Sequence, residues 1–329
     1  MNVPMLPKYS ERLHRSLLSL PANNERFLVK AAASEADVIM IDLEDAVAPE
    51  QKVAARKQAV EAVDGLDWGN KTLLVRVNGL DTPWGYRDLI DVAEQAGRLD
   101  GVMVPKINTP RDVSFVDMLL EQIERATGRE IPIAFEILVE TAQGMSLVDN
   151  IAASGGRLVS ISFGPGDYAA SINNRNKIIG APDPDYVIQS EQNGVAQAHW
   201  NDLWHYPLAR LSTACHGNNL IPMDGVYVDF KDDAGLRQAA RRAAALGYEG
   251  KWAIHPNQLP IINEVFAPRE EEVAWASELM EVMDQAHGTG TGAVSVRGQM
   301  IDMAHVRQAQ RVLTKARQIT EKQTAPDKK

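Results

Sequence analysis

The chain has 329 residues, of which 45% are hydrophobic and 24% are charged, as expected for a globular protein with a sizeable core. Its net charge of −10 argues against a general nucleic-acid surface or a surface for anionic membranes. Cys215 is the only cysteine, which excludes an intrachain disulfide and a multi-cysteine metal site. Charged residues interrupt residues 1–24, so no signal peptide is expected, and the apolar runs are too short to cross a bilayer. The sequence therefore predicts a cytoplasmic protein without a nucleic-acid or membrane partner.

Short apolar runs alternate with amphipathic segments along most of the chain, and the apolar runs are predicted to be β-strands. The eight predicted strands are residues 17–20, 37–43, 72–77, 101–105, 131–138, 158–163, 219–223 and 251–254. Helix-like segments between them include residues 25–33, 49–62, 84–96, 109–127 and 233–246. Strands that alternate with helices form parallel sheets. Eight of them fit a closed (β/α)8 TIM barrel, which we place at residues 1–265.

A longer segment separates the sixth and seventh predicted strands. Residues 172–201 are polar and contain Pro182, Pro184 and Gly194. Long connections in compact domains are often functional. We therefore predict a long loop on the functional face of the barrel.

Residues 266–329 follow the barrel and are predicted to form a C-terminal extension of helix, hairpin and helix. Pro268 and the three glutamates that follow Arg269 are typical of a helix start. That helix is interrupted by Gly288, Gly290 and Gly292. Residues 293–302 indicate a hairpin that turns at Arg297-Gly298, and the last helix has one apolar face.

Polar residues follow the predicted strands in a regular way. In a (β/α)8 barrel the reactive side chains lie at the C-terminal ends of the strands. Seven of the eight strands run into a charged or imidazole residue, namely Asp42 with Glu44 and Asp45, Arg76, Lys106, Glu140, Asp167, Asp224 and His255. One charge after a strand usually only faces solvent. Seven strands that deliver such residues to one face favour an active site there.

Glu140 and Asp167 suit a hard divalent cation. Mg²⁺ is typically held by one or two carboxylates, and the remaining positions are left for water and substrate oxygens. No cluster of Cys and His favours zinc instead. The same positions also suit a salt-bridging carboxylate at Glu140 and a helix N-cap at Asp167, and the spacing alone does not choose between these interpretations.

Three further residues have two interpretations each. Arg76 at the barrel rim could grip a substrate carboxylate with two hydrogen bonds, or form an ion pair with Glu44 or Asp45. His255 could be a ligand or base, although a histidine bonded to backbone at a strand end is more common. Asp302 precedes the last helix, where an N-cap is the default role.

A series of motifs extends over residues 12–319. They are Ala36-Asp-Val-Ile-Met-Ile-Asp-Leu-Glu-Asp-Ala-Val, Val75-Arg-Val-Asn-Gly-Leu-Asp-Thr, Val104-Pro-Lys, Phe135-Glu-Ile-Leu-Val-Glu-Thr-Ala-Gln-Gly, Ser162-Phe-Gly-Pro-Gly-Asp-Tyr, Met223-Asp-Gly, Gly250-Lys-Trp-Ala-Ile-His-Pro and Gly298-Gln-Met-Ile-Asp. In this order the motifs resemble the CitE-like branch of the HpcH/HpaI aldolase superfamily, and within it the malyl-CoA lyases.

The resemblance implies a role for each matching residue. Glu140 and Asp167 match the ligands of Mg²⁺, with Mn²⁺ as a substitute, and Arg76 matches the arginine that binds the substrate carboxylate and takes part in catalysis. The positions that match contacts with coenzyme A are Ser19, Leu20, Asn24, Lys30, Gly166, Asp167, Ile254 and His255. Asp302 matches a catalytic acid/base that completes the active site of a neighbouring subunit, which implies a homotrimer or homohexamer.

The sequence departs from this family pattern in two places. Many relatives have a Gly-rich Pro-Gly-Ser-Arg turn after the first strand, where this chain has Pro21-Ala-Asn-Asn-Glu-Arg. Asn24 then stands where an arginine often contacts coenzyme A, and Arg26 or Lys30 could compensate. The insertion after Asp167 is also individual, and the preference for the acyl chain could be set there.

The activity that the resemblance implies is a Mg²⁺-dependent carbon–carbon lyase acting on a short 3-hydroxyacyl-CoA. The substrate would be malyl-CoA or β-methylmalyl-CoA, and the products glyoxylate with acetyl-CoA or propionyl-CoA. Alternatives on the same fold are a malyl-CoA thioesterase and an (S)-citramalyl-CoA lyase, which would release pyruvate. A non-catalytic scaffold or CoA-binding protein would have no need for all of Arg76, Glu140, Asp167 and Asp302.

Overall fold

The computed structural model describes residues 12–183, 185–287, 294–296 and 298–324. Eight parallel strands close into a barrel in the order β1-β10-β9-β6-β5-β4-β3-β2. The ten strands of this part of the chain are β1 (Ser16–Pro21), β2 (Val38–Asp42), β3 (Thr72–Arg76), β4 (Gly101–Val104), β5 (Ala134–Val139), β6 (Leu158–Phe163), β7 (Val187–Gln192), β8 (Val195–Trp200), β9 (Ile221–Asp224) and β10 (Gly250–Ala253). The predicted (β/α)8 barrel is confirmed, and all eight predicted strands are present.

Helices connect the strands of the barrel. They are α1 (Glu25–Ala32), α2 (Lys52–Gly65), α3 (Gly85–Gln95), α4 (Pro110–Thr127), α5 (Ala142–Ser146), α6 (Val148–Ala152), α7 (Pro165–Ser171), α8 (His205–Gly217), α9 (Asp233–Ala245) and α10 (Leu259–Val265). The bounds of α4 follow from its sequence. Thr109 at the N-cap and Asp112 in the first turn form a capping box, and Gly128 ends the helix with a left-handed φ of 68°. None of the helices in the described residues is both long and apolar enough to span a membrane.

Side chains from alternate strand positions fill the inside of the barrel. The buried cluster consists of Leu17, Val38, Met40, Leu74, Met103, Ala134, Leu138, Val159, Met223 and Trp252. Because successive residues of a strand point to opposite faces, Asp42 and Arg76 continue the inward-facing rows of Met40 and Leu74. The apolar filling thus gives way to charged residues at the C-terminal ends of β2 and β3.

A buried ion pair occupies the N-terminal end of the barrel. Arg15 precedes β1, and its guanidinium group donates to both oxygens of Asp37, at 2.8 and 2.9 Å. A second buried pair joins β9 and β10, where Lys251 Nζ lies 2.6 Å from Asp224 Oδ2. Asp224 therefore ends a strand as predicted, but its carboxylate is occupied by Lys251.

The insertion between β6 and β9 contains regular structure that the sequence analysis missed. Residues 172–201 were predicted to be a long loop, but β7 and β8 form an antiparallel hairpin with Val187 opposite Trp200. This two-stranded sheet does not join the barrel. The loop prediction followed polarity, yet a strand exposed on both faces has no alternating apolar pattern to reveal it. Pro184 lies outside the described residues.

The second compact unit begins at Glu264. It contains α11 (Glu270–His287), β11 (Val294–Val296), β12 (Gln299–Ile301) and α12 (Met303–Thr324). Its core is formed by Ala276, Leu279, Met283, Ile301, Val306 and Ala309. These elements follow one another as helix, hairpin and helix, and Gly298 between β11 and β12 has a φ of 81°. Gly288, Gly290, Gly292 and Arg297 lie outside the described residues.

Candidate active site

The loop after β2 brings an acidic side chain to the rim of the barrel. The carboxylate of Asp42, the last residue of β2, accepts hydrogen bonds from the backbone N–H groups of Glu44 (2.8 Å) and Ala46 (3.2 Å). From the other side, Lys52 Nζ donates to the carbonyl oxygens of Leu43 (2.8 Å) and Glu44 (2.7 Å). The backbone around Glu44 is therefore held by both the Asp42 carboxylate and the Lys52 ammonium group.

Arg76, at the end of β3, is held by two carboxylates. Its Nε and Nη2 donate to the two oxygens of Asp42 at 2.7 and 2.6 Å, and Nη1 lies 3.0 Å from Glu44 Oε2. Its guanidinium carbon lies 5.8 Å from the centre of the Trp252 ring, within the range of a cation–π contact. Burial alone would lower the pKa of Arg76, but the two carboxylates raise it above its ordinary value. Glu44 is one of the two partners predicted for Arg76, whereas Asp42 was not predicted.

Lys106 connects the acidic loop to two predicted metal ligands. Its Nζ lies 2.5 Å from Glu44 Oε1 and 3.7 Å from Asp167 Oδ2. Its backbone N–H donates to Glu140 Oε1 at 2.9 Å. Burial lowers the pKa of Lys106, but the contact with Glu44 outweighs burial and raises it above its ordinary value. Lys106 was predicted to lie at a strand end, and no role was predicted for it.

Glu140 directly follows β5 and is 4% exposed. Burial raises its pKa well above the ordinary value, and the nearby carboxylates of Glu44 and Asp167 raise it further. Desolvation and like charges both disfavour a buried carboxylate anion. A bound cation would reverse this balance, so the electrostatic environment of Glu140 favours a metal ligand over an isolated structural carboxylate.

The charges of the residues around Glu140 also suit a bound metal cation. Five carboxylates (Asp42, Glu44, Asp45, Glu140 and Asp167) lie within hydrogen-bond or ion-pair distance of two basic residues, Arg76 and Lys106. The described residues contain no group of three or more His, Cys, Asp or Glu side chains arranged to hold a metal. Mg²⁺ does not need such a group, because it usually keeps several waters and is bound by one or two carboxylates. The residues present therefore fit Mg²⁺ and do not fit a closed zinc site.

The Glu140 side chain packs closely against Gly164. A Cβ atom at Gly164 would collide with Glu140 Cβ and lie 2.6 Å from its Oε2. Asp167 lies three residues further on, in the first turn of α7. The Gly164-Pro-Gly-Asp turn therefore brings Asp167 near enough to Glu140 for its charge to raise the pKa of Glu140.

Gly164→Ala should displace the Glu140 carboxylate and lower kcat/KM by about tenfold or more, because a shift of about an ångström in a catalytic group is costly. Overpacking should also destabilise the fold by about 1–3 kcal/mol. Steady-state kinetics and urea unfolding would measure the two effects. Gly65→Ala is the control, because no atom lies within 4 Å of a Cβ at Gly65. An alanine at position 164 that leaves kinetics unchanged would contradict the assigned position of Glu140.

The residues predicted to contact coenzyme A lie at several places around the barrel. Ser19 and Leu20 lie near the C-terminal end of β1, and Ile254 and His255 follow β10, which pairs with β1 through Leu18 and Ala253. These two pairs are therefore neighbours at the same rim. The remaining four are Gly166 and Asp167 in the first turn of α7, Asn24 at the N-cap of α1 and Lys30 in the last turn of α1.

Two of these residues also have local structural roles. The side chain of Asn24 accepts a hydrogen bond from the backbone N–H of Phe27. His255 Nδ1 accepts from the backbone N–H of Asn257 at 3.2 Å, as expected for the more common interpretation of a strand-end histidine. The His255 ring also stacks on Phe230, with ring centres 4.9 Å apart. Phe230 was not identified from the sequence, because an isolated aromatic residue in a loop carries no pattern.

Asp302 precedes α12 in the second unit and is exposed. Its Oδ1 accepts from the backbone N–H of Ala304 at 2.9 Å and contacts His305 Nδ1 at 2.8 Å. The hydrogen bond with His305 lowers the pKa of Asp302 below its ordinary value. The N-cap considered in the sequence analysis is therefore present.

Comparisons with known proteins agree with this geometry. Residues 15–256 match the model of the HpcH/HpaI aldolase/citrate lyase family. The chain is 44% identical over 321 residues to an L-malyl-CoA/beta-methylmalyl-CoA lyase of Cereibacter sphaeroides, with 97% of this chain and 100% of the relative covered. It is 33% identical over 305 residues to a (3S)-malyl-CoA thioesterase of the same species, with 93% and 95% covered.

A solved structure of CitE from Mycobacterium tuberculosis, in complex with magnesium, acetoacetate and coenzyme A, is also similar. It superposes with a TM-score of 0.69 at 28% identity, and the match covers 93% of this chain and 99% of that chain. The barrel, the order of the motifs and the near full-length similarity agree with one another. This chain belongs to the HpcH/HpaI aldolase/citrate lyase family.

Proposed function

We propose that this chain is a Mg²⁺-dependent carbon–carbon lyase that cleaves malyl-CoA, and β-methylmalyl-CoA, to glyoxylate and acetyl-CoA or propionyl-CoA. The observation that carries the proposal is the carboxylate-rich cluster around Glu140 and Asp167, with Arg76 beside it at the C-terminal rim of the barrel. The near full-length similarity to a lyase with these two substrates in its name gives the substrate class.

Glu140 and Asp167 are the residues that would hold the metal. When bound, Mg²⁺ supplies Lewis-acid stabilisation of negative charge on the substrate oxygens. Arg76 would bind the terminal carboxylate of the substrate or the oxygen charge that develops at the hydroxyl-bearing carbon. Because Asp42 already fixes its guanidinium group, Arg76 is oriented before the substrate arrives, and such preorganisation is what makes charge stabilisation effective.

The cleaved bond joins the carbon beside the thioester to the hydroxyl-bearing carbon. The bonding electrons remain on the carbon beside the thioester as the enolate of the acyl-CoA, and the hydroxyl carbon becomes the carbonyl of the 2-oxo acid as its oxygen loses a proton. That proton would pass through water to the carboxylate of Asp302 from a neighbouring subunit, which would deliver it to the enolate carbon. In the condensation direction the same carboxylate would remove that proton.

Coenzyme A would lie along the rim formed by β1 and β10. Ser19, Leu20, Ile254 and His255 lie there side by side, and Gly166 belongs to the turn that also carries Asp167. Asn24 cannot reproduce the charge of an arginine. The phosphates would therefore need Lys30 or Arg26, both exposed on α1.

The trans role of Asp302 can be tested by subunit complementation. Asp302→Ala and Arg76→Ala should each be nearly inactive as homo-oligomers. After the two variants are dissociated and reassembled together, some mixed sites pair an intact Arg76 with an intact Asp302, and activity should return to a sizeable fraction of wild type. The measurement is the lyase rate before and after mixing.

The opposite outcomes are equally clear. If Asp302 acts within its own chain, every site lacks one residue and the mixture stays inactive. If Asp302 is only an N-cap, Asp302→Ala remains active and loses about 1 kcal/mol of stability. Size-exclusion chromatography with light scattering would check that wild type is the trimer or hexamer that the proposal requires.

The reaction itself can be tested by assaying malyl-CoA, β-methylmalyl-CoA and citramalyl-CoA in parallel with Mg²⁺. Free thiol and 2-oxo acid should be followed separately. A lyase releases 2-oxo acid without free thiol, whereas a thioesterase releases thiol without 2-oxo acid. Glyoxylate from the first two substrates is the expected result. Thiol alone would overturn the proposal, and pyruvate from citramalyl-CoA alone would replace its substrate.

A further inference from the structure

Lys106 has a backbone conformation that is unusual for a side chain of its type. Its φ is +53°, in the left-handed region that residues other than glycine rarely adopt. In this conformation the backbone N–H donates to Glu140 Oε1 at 2.9 Å, while Nζ lies 2.5 Å from Glu44 Oε1. The same Nζ lies 3.9 Å from Asp45 and 3.7 Å from Asp167. Lys106 therefore contacts both of the carboxylates proposed to hold the metal.

The other basic side chains nearby are already engaged elsewhere. Arg76 is bound by Asp42 and Glu44, and Lys52 Nζ donates to backbone carbonyl oxygens. Within the described ranges, Lys106 is the one cation in ion-pair distance of Asp167. A divalent cation that binds Glu140 and Asp167 must therefore approach the ammonium group of Lys106 closely.

We propose that Lys106 is a positioning residue that weakens the binding of the bare metal ion at Glu140 and Asp167. Its backbone N–H orients Glu140, and its ammonium group opposes a second cation at the same carboxylates. The inference rests on the proposed function, because it requires that these two carboxylates hold the metal. Like charges within a few ångströms repel strongly unless water screens them, and Lys106 is only partly exposed.

Lys106→Met removes the charge and preserves much of the length of the side chain. We expect it to bind Mn²⁺ about tenfold more tightly than wild type, or better, because one repelling charge is lost from the site. Lys106→Arg keeps the charge and should stay within about threefold of wild type. The probe is Mn²⁺ alone, measured as free ion by electron paramagnetic resonance without substrate, after the protein has been stripped with EDTA.

Lys57→Met is the matched control. Lys57 lies on the surface of α2, where it pairs with Glu61 at 3.6 Å, so the same chemical change should leave the Mn²⁺ affinity unchanged. An equal gain in Lys57→Met would indicate an effect of net charge alone and would overturn the proposal. Equal or weaker Mn²⁺ binding in Lys106→Met would overturn it as well.

Thermal unfolding gives a second readout that does not depend on activity. In EDTA, Lys106→Met should unfold at a lower temperature than wild type, because Glu44 and Asp167 lose their counter-ion. In saturating Mn²⁺ its gain in melting temperature should exceed that of wild type, since tighter ligands stabilise more. An equal gain in both proteins would contradict the proposal.

Glu140→Gln separates this inference from the proposed function. If wild type binds Mn²⁺, Glu140→Gln does not, and Lys106→Met shows no gain, only the role of Lys106 is wrong. If wild type itself binds no Mn²⁺, or Glu140→Gln binds as tightly as wild type, the proposed metal site fails and this inference fails with it.

Discussion

Glu140→Gln should abolish metal-dependent turnover and leave the barrel folded. The amide keeps the size of the side chain and can still accept the hydrogen bond from the backbone of Lys106, but it removes one of the two carboxylates proposed to hold the metal. We expect kcat/KM to fall by about a hundredfold or more, the scale for losing one preorganised electrostatic group. Steady-state kinetics at several Mg²⁺ concentrations would measure the loss.

The stability of Glu140→Gln distinguishes a metal-binding role of Glu140 from a structural one. Burial and neighbouring carboxylates raise the pKa of Glu140, which means that its charged form is disfavoured in the folded chain. A neutral glutamine removes that cost, so the free energy of unfolding in EDTA should not fall. Marked destabilisation in EDTA would indicate that Glu140 is a structural ion-pair partner. Full turnover of wild type in excess EDTA would show that no metal is needed.

Arg76→Lys should be the second severe substitution. A lysine cannot reproduce the two parallel hydrogen bonds to Asp42 together with the contact to Glu44. We expect a loss on the order of 2–4 kcal/mol in transition-state stabilisation, which corresponds to roughly thirty- to a thousandfold in kcat/KM. The free energy of unfolding should also fall, by about 1–3 kcal/mol, because buried carboxylates lose part of their pairing.

Arg15→Lys is the matched control for Arg76→Lys. Arg15 is equally buried, at 7% exposure against 8% for Arg76, and it also grips one aspartate with two hydrogen bonds. It lies at the opposite end of the barrel from the candidate site. The control should lose comparable stability and keep its kcat/KM at temperatures where it is fully folded. If Arg76→Lys also keeps kcat/KM within about twofold, a difference of only a few tenths of a kcal/mol, Arg76 is structural.

The fold could be predicted because barrel strands have a local signal. Each is a short apolar run, since the helices around the barrel and the filling within it bury both faces. The positions of Arg76, Glu140 and Asp167 followed from the same pattern, because the first polar residue after such a run lies at the C-terminal rim. The pattern could not reveal which polar residues contact one another.

The contacts of Arg76 illustrate this limit. Asp42 was recognised at a strand end, but its pairing with Arg76 depends on the register of β2 against β3, in which the two residues are directly adjacent. The contacts of Lys106 depend on a left-handed backbone conformation, which the amino-acid type lysine does not indicate. The β7–β8 hairpin was missed because it buries no continuous face.

The isolation of that hairpin has a consequence for how such enzymes diverge. On either side of the insertion, β6 and β9 are hydrogen-bonded to each other, with Ser160 opposite Ile221, so the barrel is closed without the insertion. The entropic cost of closing a loop grows only slowly with its length. Insertions, deletions and substitutions in this segment should therefore cost the barrel little stability. Ile179 in the same insertion would lie 3.3 Å from a Cβ atom at Gly166. Substitutions there would reshape the surface beside Asp167 while Glu140 and Asp167 themselves stay unchanged.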